Sequence, residues 1–398
     1  MMISGVGCSL MDYLYNRVDF DSNNFRACAS ASPGDGGLTP GGLVFAEELE
    51  RFTGRPLTEI VSALVGERDA DAENLGGPAV VAVVLAAQLL FETGIDVRFF
   101  GVRGDDRTGE RMLSILARVP LYQARFAVKP AATPSTIVLS DPDYYDGKGE
   151  RTFINRLGAA GDFTLADLSD DFFAADIHLY GATALLPELH DNLLTALCES
   201  RRRGKVTVVA TVYDFRNEKR APDKPWPLGE SVESYHYIDL LIVDLEEALK
   251  LSGQSTAADA AARFMAWGVG AVMITRGADS ILLQAQSPLF SRLDLTELPV
   301  CAAADRDLQM RRQQAGDTTG CGDNFVGGTL AALALGLQSG RRPELPTLCA
   351  WGAAAGGLAR FQFGGVFLEK RPGEKLACVK DYVRAYREQT GIEVPLFE

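Results

Sequence analysis

Gly316-Asp317-Thr318-Thr319-Gly320-Cys321-Gly322-Asp323-Asn324-Phe325-Val326-Gly327-Gly328 is the stretch on which the reading of this chain turns. The run that follows, Thr329 to Leu335, is built mostly from Ala and Leu and stops at Gly336, so Phe325 to Leu335 is a helix with a glycine at its end. Gly320-Cys321-Gly322 is then a glycine-rich turn feeding a helix N-terminus. Unpaired backbone N–H groups and the positive end of the helix dipole meet there and make a site for an anion. Asp323 falls in the first helical turn beside that site. A carboxylate so placed can take a proton from a hydroxyl while the amides stabilise a transferring phosphoryl group. An isolated Gly-x-Gly-Asp would be no more than a cap with room for close packing. Asp317-Thr318 upstream and Gly327-Gly328 downstream set this one apart.

Around this stretch, strand and helix patterns alternate. Met2 to Cys8 reads as a first strand, Pro78 opens an apolar helix closed by Gly94, and Val97 to Gly101 is the next strand. Asp176 to Tyr180, Pro187 to Arg203 and Val206 to Val212 make a strand–helix–strand unit, continued by strands at Leu240 to Val243 and Ala271 to Thr275. Such alternation implies an α/β fold with a central, mostly parallel sheet and helices on both faces. Two segments depart from it: Asp19 to Gly42, rich in Gly, Ser and Asn, and the strand-only block 122–154. They are the natural source of a small β lid. Asp214 to Tyr237, with Pro222, Pro225 and Pro227, reads as one long ordered loop. The 398 residues are expected to form a single domain, 1–398, with lid strands within 13–45 and 121–156.

Composition narrows the function. With 53 Asp+Glu against 39 Lys+Arg, the net charge is -14, and so acidic a surface repels nucleic acid. The longest apolar run, Ala79 to Phe91, holds Gln88 and is too short to span a membrane. The N-terminus lacks the pattern of a signal peptide. Seven scattered cysteines without a Cys-x-x-Cys pair suit reduced thiols in a cytoplasm, and three histidines show no metal-ligand spacing. Gly5-Val6-Gly7-Cys8-Ser9-Leu10 fails as a dinucleotide fingerprint because Leu10 stands where the third glycine belongs. No Walker P-loop, Gly-x-Ser-x-Gly or His-Glu-x-x-His motif is present.

Asp317-Thr318-Thr319-Gly320-Cys321-Gly322-Asp323 resembles the Asp-Thr-x-Gly-Ala-Gly-Asp signature of the ribokinase-like family, the phosphofructokinase-B carbohydrate kinases, with Cys321 in place of Ala. Other pieces follow in the family's order: Gly7 to Asp12, Gly76-Gly77-Pro78, Phe100 to Gly109, Gly149-Glu150-Arg151-Thr152-Phe153 and Thr275-Arg276-Gly277. The resemblance implies transfer of the ATP γ-phosphate to a hydroxyl of a sugar or sugar derivative. It casts Asp323 as base, Gly320, Cys321 and Gly322 as the anion hole, and Asp12, Gly76 and Gly77 as acceptor-binding residues. Thr275, Gly277, Glu247 and Thr318 would serve ATP, with Mg2+ bridging its phosphates. Asp317 and Thr319 match the positions near which the family often holds a monovalent cation, which admits K+. The implied partner is a small sugar or nucleoside, with neither nucleic acid nor membrane, and a homodimer is an admissible assembly.

The chain also departs from the family pattern. Val81 stands where an Asn often contacts the sugar, Asp244 replaces the Asn of Asn-x-x-Glu while Glu247 is kept, and Asp214 alone survives of an Asp-x-Asn-x-Arg. Arg311 to Gln314 is polar where an apolar strand is common. Two alternatives therefore stay open: an adenosine-like nucleoside kinase of the same fold, for which Gly36 to Gly42 offers a loose match, and a non-catalytic sugar- or nucleotide-binding member.

Overall fold

The structure, a computed structural model, describes residues 1–32, 34–147, 149–310 and 318–397. Its strands are β1 (Met2–Gly7), β2 (Leu10–Tyr15), β3 (Leu43–Phe45), β4 (Ala72–Gly76), β5 (Asp96–Gly104), β6 (Gln123–Lys129) and β7 (Ser135–Asp141). They continue as β8 (Glu150–Arg156), β9 (Ile177–Gly181), β10 (Val206–Ala210), β11 (Leu240–Asp244), β12 (Ala271–Thr275), β13 (Ser280–Ala285) and β14 (Leu293–Pro299). Nine form one sheet in the order β14-β13-β12-β11-β10-β9-β1-β5-β6, and five form a second, β3-β8-β7-β2-β4. In the large sheet every pairing from β12 to β6 is parallel, and only the β12-β13-β14 edge is antiparallel.

The apolar runs of the central strands are continuous because both faces are covered. Leu240, Ile242, Ala271 and Met273 point into one core, shared with the helices Pro78–Leu89, Cys321–Gln338 and Leu345–Ala359. Their neighbours Leu241, Val243, Val272 and Ile274 point into the other, shared with the helices Leu193–Arg202 and Ala257–Ala266. A third core, with Phe20, Phe25, Leu49 and Ile60, lies on one face of the small sheet.

The small sheet is the expected lid, but its strands differ from those expected. β2 leaves the large sheet two residues after β1 and enters the lid at Leu10, before residue 13. Gly7 makes that departure feasible, since a Cβ there would stand 1.8 Å from the Gly181 carbonyl oxygen. β4 lies outside both expected segments. Its sequence Ala-Glu-Asn-Leu-Gly carries no alternation, because it is an edge strand held through backbone pairing with β2. β6 falls inside the 121–156 segment yet joins the large sheet, parallel to β5, where Phe126 packs on Phe99 at 5.6 Å.

Elsewhere, Pro187 to Arg203 divides into two helices at Asn192, where Glu230 accepts from the Leu194 amide at 2.8 Å. The Asp214 to Tyr237 segment holds a short helix, Phe215–Arg220, and a 3-10 turn, with Trp226 and Tyr235 buried. The mostly helical C-terminal third carries the antiparallel β13–β14 pair as well.

Gly327 and Gly328 let the signature helix touch its neighbours. A Cβ on Gly328 would lie 2.5 Å from the Trp351 carbonyl oxygen, and one on Gly327 2.6 Å from that of Ala82. Helix propensity alone would make Gly328→Ala stabilising by about 1 kcal/mol, but a methyl pressed on backbone cannot be relieved by a rotamer change. The expected outcome is a net loss of about 2 kcal/mol, seen as a lower urea midpoint at unchanged slope. A midpoint that held or rose would contradict this packing.

Candidate active site

The signature turn is fixed by two glycines that touch. Gly320 caps the Cys321–Gln338 helix in the left-handed region, φ 78°. A Cβ on it would stand 2.5 Å from the Cα of Gly365. The Asn324 amide Nδ2 ties both strands of this contact together, donating to the Gly320 carbonyl at 2.8 Å and the Gly365 carbonyl at 3.0 Å. The Cys321 amide donates to the Thr318 carbonyl at 3.3 Å. Those of Gly322 and Asp323 donate to no group among the described residues, and nothing lies within 4 Å of where a Gly322 Cβ would point. The turn therefore opens onto space with amides to offer an anion. Thr318 is exposed and Thr319 half-buried. Asp317 and Arg311 to Gln314 lie outside the described residues.

That space is a slot of about 170 Å³ at the carboxyl ends of the parallel strands, where ligands of open α/β sheets bind. Gly181, Thr211, Asp244 and Thr275 reach it from the ends of β9 to β12, and Gly322 and Asp323 from the helix, with Glu247 beneath. A far larger groove, about 1360 Å³, lies against the C-terminal tail around Arg341 and Arg387, and holds none of the signature residues. Convergent polar groups rather than size mark the slot as the candidate site.

Burial sets the charge state there. It lifts the Asp323 carboxyl from 3.8 to about 7. Glu247 is lifted from 4.5 to about 7 by burial and then by the charge of Asp244, with a smaller push from Asp323; a hydrogen bond from Thr211 acts in the opposite direction. Asp244 and Glu247 form a capping box: the Glu247 amide donates to Asp244 Oδ1 at 2.8 Å, and the Asp244 amide to Glu247 Oε2 at 3.3 Å. Replacing Asn by Asp at 244 thus keeps a helix cap and adds a carboxyl, which burial also pushes up. Cys8 lies close enough to Asp12 and Asp323 for both charges to raise its thiol, after burial, and it stays neutral.

The lid supplies the remaining residues. Asp12 on β2 is 7% exposed and pairs across the sheet with Asn74 and Thr136. Gly76 leaves room for it, since a Cβ there would meet Asp12 Oδ2 at 2.3 Å, and Gly77 (φ 95°) passes against the Cys8 carbonyl. Gly277 follows β12 in a turn two residues beyond Thr275 and is not part of the slot lining. Val81 does not line the slot either. It is 1% exposed and packs against Gly365, where a Cβ would come 2.6 Å from its Cγ2. Asp214 is buried and committed to structure: it accepts from the Asn217 amide at 2.9 Å and lies 3.6 Å from His190 Nε2.

Sequence reasoning missed three features. Thr211, which orients Glu247, follows β10 directly, and its place at a strand's carboxyl end was the available signal. Arg151 on β8 donates from Nη1 to Thr319 Oγ1 at 3.0 Å, joining lid to signature. Phe45 meets Phe215 edge-on at 5.9 Å and Glu48 pairs with Lys219, so the lid is also latched to the body.

Asp323 carries a stability penalty that can be measured. Its pKa rises on folding, so between pH 3.8 and about 7 the native state keeps a proton that the unfolded chain has released. Stability from this group therefore falls as pH rises through that window. Asparagine cannot ionise. Asp323→Asn should be more stable than the parent at pH 8 by roughly 2 kcal/mol, discounted for solvent reaching the slot, and the difference should vanish near pH 4. Equal melting temperatures at both pH values would contradict the assigned burial.

Comparison with known proteins bears on the family and the fold. The chain is 24% identical over 300 residues to the fructokinase of Vibrio alginolyticus, covering 73% of this chain and 86% of that protein. It is 25% identical over 331 residues to the probable chloroplastic fructokinase-6 of Arabidopsis thaliana, covering 80% and 77%. Its fold matches the adenosine kinase of Schistosoma mansoni with adenosine and AMP, at TM-score 0.66 and 18% identity over 92% of this chain and 97% of that one. It also matches the ribokinase of Thermotoga maritima, at TM-score 0.60 and 18% identity over 97% and 99%. Residues 57–370 match the pfkB family carbohydrate kinase, so the chain belongs to that family and is a carbohydrate kinase with the ribokinase-like fold.

Proposed function

We propose that this kinase transfers the γ-phosphate of ATP to a hydroxyl of a sugar or sugar derivative, all 398 residues acting as one domain under the five-stranded lid. The observation that carries the reading is the pairing, in one helical turn, of open amides with the partly desolvated Asp323 carboxyl. A base whose pKa lies near 7 matches general-base catalysis at neutral pH. Asp323 takes the acceptor's proton as its oxygen attacks phosphorus. The open amides of Gly322 and Asp323 receive the charge on the transferring group, in a turn shaped by Gly320 and by Cys321, whose own amide is held by the Thr318 carbonyl. Asp12, against Gly76 and Gly77, grips other acceptor hydroxyls.

Thr275, Gly277 and Thr318 would flank the nucleotide. Glu247 and Asp244 suit Mg2+ held largely through water, and the ion would supply neutralising charge to the phosphates. K+ activation would rest on Asp317 and Thr319. The Arg151 guanidinium at Thr319 Oγ1 is a cation that the chain itself brings there. Seven scattered cysteines without a Cys-x-x-Cys pair suit a reducing, cytoplasmic setting.

ADP release over a panel of sugars and nucleosides tests this reading. A sugar or sugar derivative should be turned over, and Asp323→Asn should lower turnover by roughly 10²–10⁴ with nucleotide affinity little changed. Turnover retained by the variant would remove Asp323 as base. Activity confined to nucleosides would select the nucleoside kinase, and binding without ADP release the non-catalytic member.

A further inference from the structure

The segment 360–373, between the helices Leu345–Ala359 and Glu374–Thr390, contains neither helix nor strand. It is nevertheless what the signature turn rests on, through Gly365. Backbone carbonyls in such a segment must find partners outside regular structure, and three alternate ones do. Asn74 Nδ2 of β4 donates to the Phe363 carbonyl at 2.9 Å, and Asn324 Nδ2 of the signature helix to that of Gly365 at 3.0 Å. Gln88 Nε2 of the Pro78–Leu89 helix donates to the Phe367 carbonyl at 3.1 Å. The segment is thereby a strap that joins lid, signature and body.

The third tie depends on a lysine. Gln88, the residue that interrupts the apolar run Ala79 to Phe91, is 1% exposed. Its Oε1 accepts from Lys375 Nζ at 2.7 Å, and Lys375 is 3% exposed. An amide can sit either way round, and here its partners decide. Lysine Nζ donates and a carbonyl only accepts, so a turned Gln88 would set oxygen against the Phe367 carbonyl and nitrogen against Nζ. Lys375 thus fixes the face that Gln88 shows to the strap. The same residue steadies the strap's far end: its amide donates to Glu369 Oε1 at 2.7 Å, and Nζ stands 5.1 Å from the Phe367 ring centre.

Lys375 is otherwise badly placed. Burial pulls its amine down from 10.5 to about 7, and it is the second residue of its helix, where the dipole disfavours a cation. Charged or neutral, Nζ keeps N–H groups to donate, and among the described residues its one hydrogen bond goes to Gln88. Resting on the kinase reading above, we propose that Lys375 is a positioning residue for phosphoryl transfer. Through Gln88 and the strap it holds Gly365 against Gly320, and so fixes the turn that bears the open amides and Asp323. It acts from outside the slot, whose lining includes neither Lys375 nor Gln88.

Two variants test this. Lys375→Met keeps the stem and removes the donor to Gln88. Gln88→Glu keeps the pair with Lys375 and removes the donor to Phe367. Kinetics are read at pH 8, well below each melting temperature, on whichever of D-fructose, D-ribose and adenosine the wild type turns over fastest. Both variants should lose kcat by roughly tenfold or more, because a small misplacement of the turn is enough, with KM for ATP and acceptor within about threefold. Without substrates, hydrogen exchange in residues 320–326 should be faster than in the wild type. Folded variants with kcat within twofold overturn the inference and leave the kinase reading standing. So does faster exchange confined to residues 361–390, which would make Lys375 a support for its own helix alone. If Lys375→Met does not fold, Gln88→Glu decides by the same readings. A wild type that releases ADP with none of the sugars or nucleosides of the panel overturns the kinase reading, and the inference with it.

Discussion

A half-buried aspartate at the start of a helix, its carboxyl partly desolvated, is unfavourable to keep ionised, and the surroundings of Asp323 show why it is tolerated. The Cys321–Gln338 helix is buried from Asn324 to Gly336 between the helices Pro78–Leu89 and Leu345–Ala359, which anchors the more open first turn that precedes Asn324. Gly320 against Gly365, with the Asn324 amide bridging both, then locks the turn. The packing of one helix places the carboxyl where it resists ionisation, beside the amides whose positive field a phosphoryl group would use. Stability is given up at the point where the proposed chemistry would need a base, a common arrangement in active sites.

The same constraint explains the departures from the family pattern. Val81 belongs to the packing that holds Gly365 against Gly320, so an apolar residue there serves the turn rather than an acceptor. Asp244 keeps the helix cap that an Asn would make and adds a third carboxyl to the slot, which raises Glu247 further. Asp214 has become a cap for the Phe215–Arg220 helix, and that helix carries Phe215 and Lys219, the body's half of the latch to the lid.

Much of this was legible in the residues. The turn, the helix after it, Asp323 and the β9–β12 run announce themselves, since parallel strands buried on both faces are continuous apolar stretches and glycine turns have few other uses. The lid was harder. β4 is a short edge strand whose one deeply buried side chain, Leu75, gives no alternation to read, and β6 has the alternation of a lid strand although its partner is β5. Which side of β8 looks inward depends on its register with β7, the strand paired with β2 and Asp12, and no local pattern on β8 states it. Val81 shows the same limit: its place in the helix can be counted, but the neighbour it touches comes from 284 residues further on, at Gly365.

The central claim is that catalysis runs through one partly desolvated carboxyl whose ionisation is displaced toward neutrality. The pH dependence of kcat, measured from pH 5 to 9 with saturating Mg-ATP and acceptor, tests it most directly. The account predicts an acid limb, with turnover falling tenfold per pH unit below an apparent pKa of about 7. A rate that stayed level down to pH 5 would contradict it, because a base with an ordinary carboxylate pKa would then be doing the work.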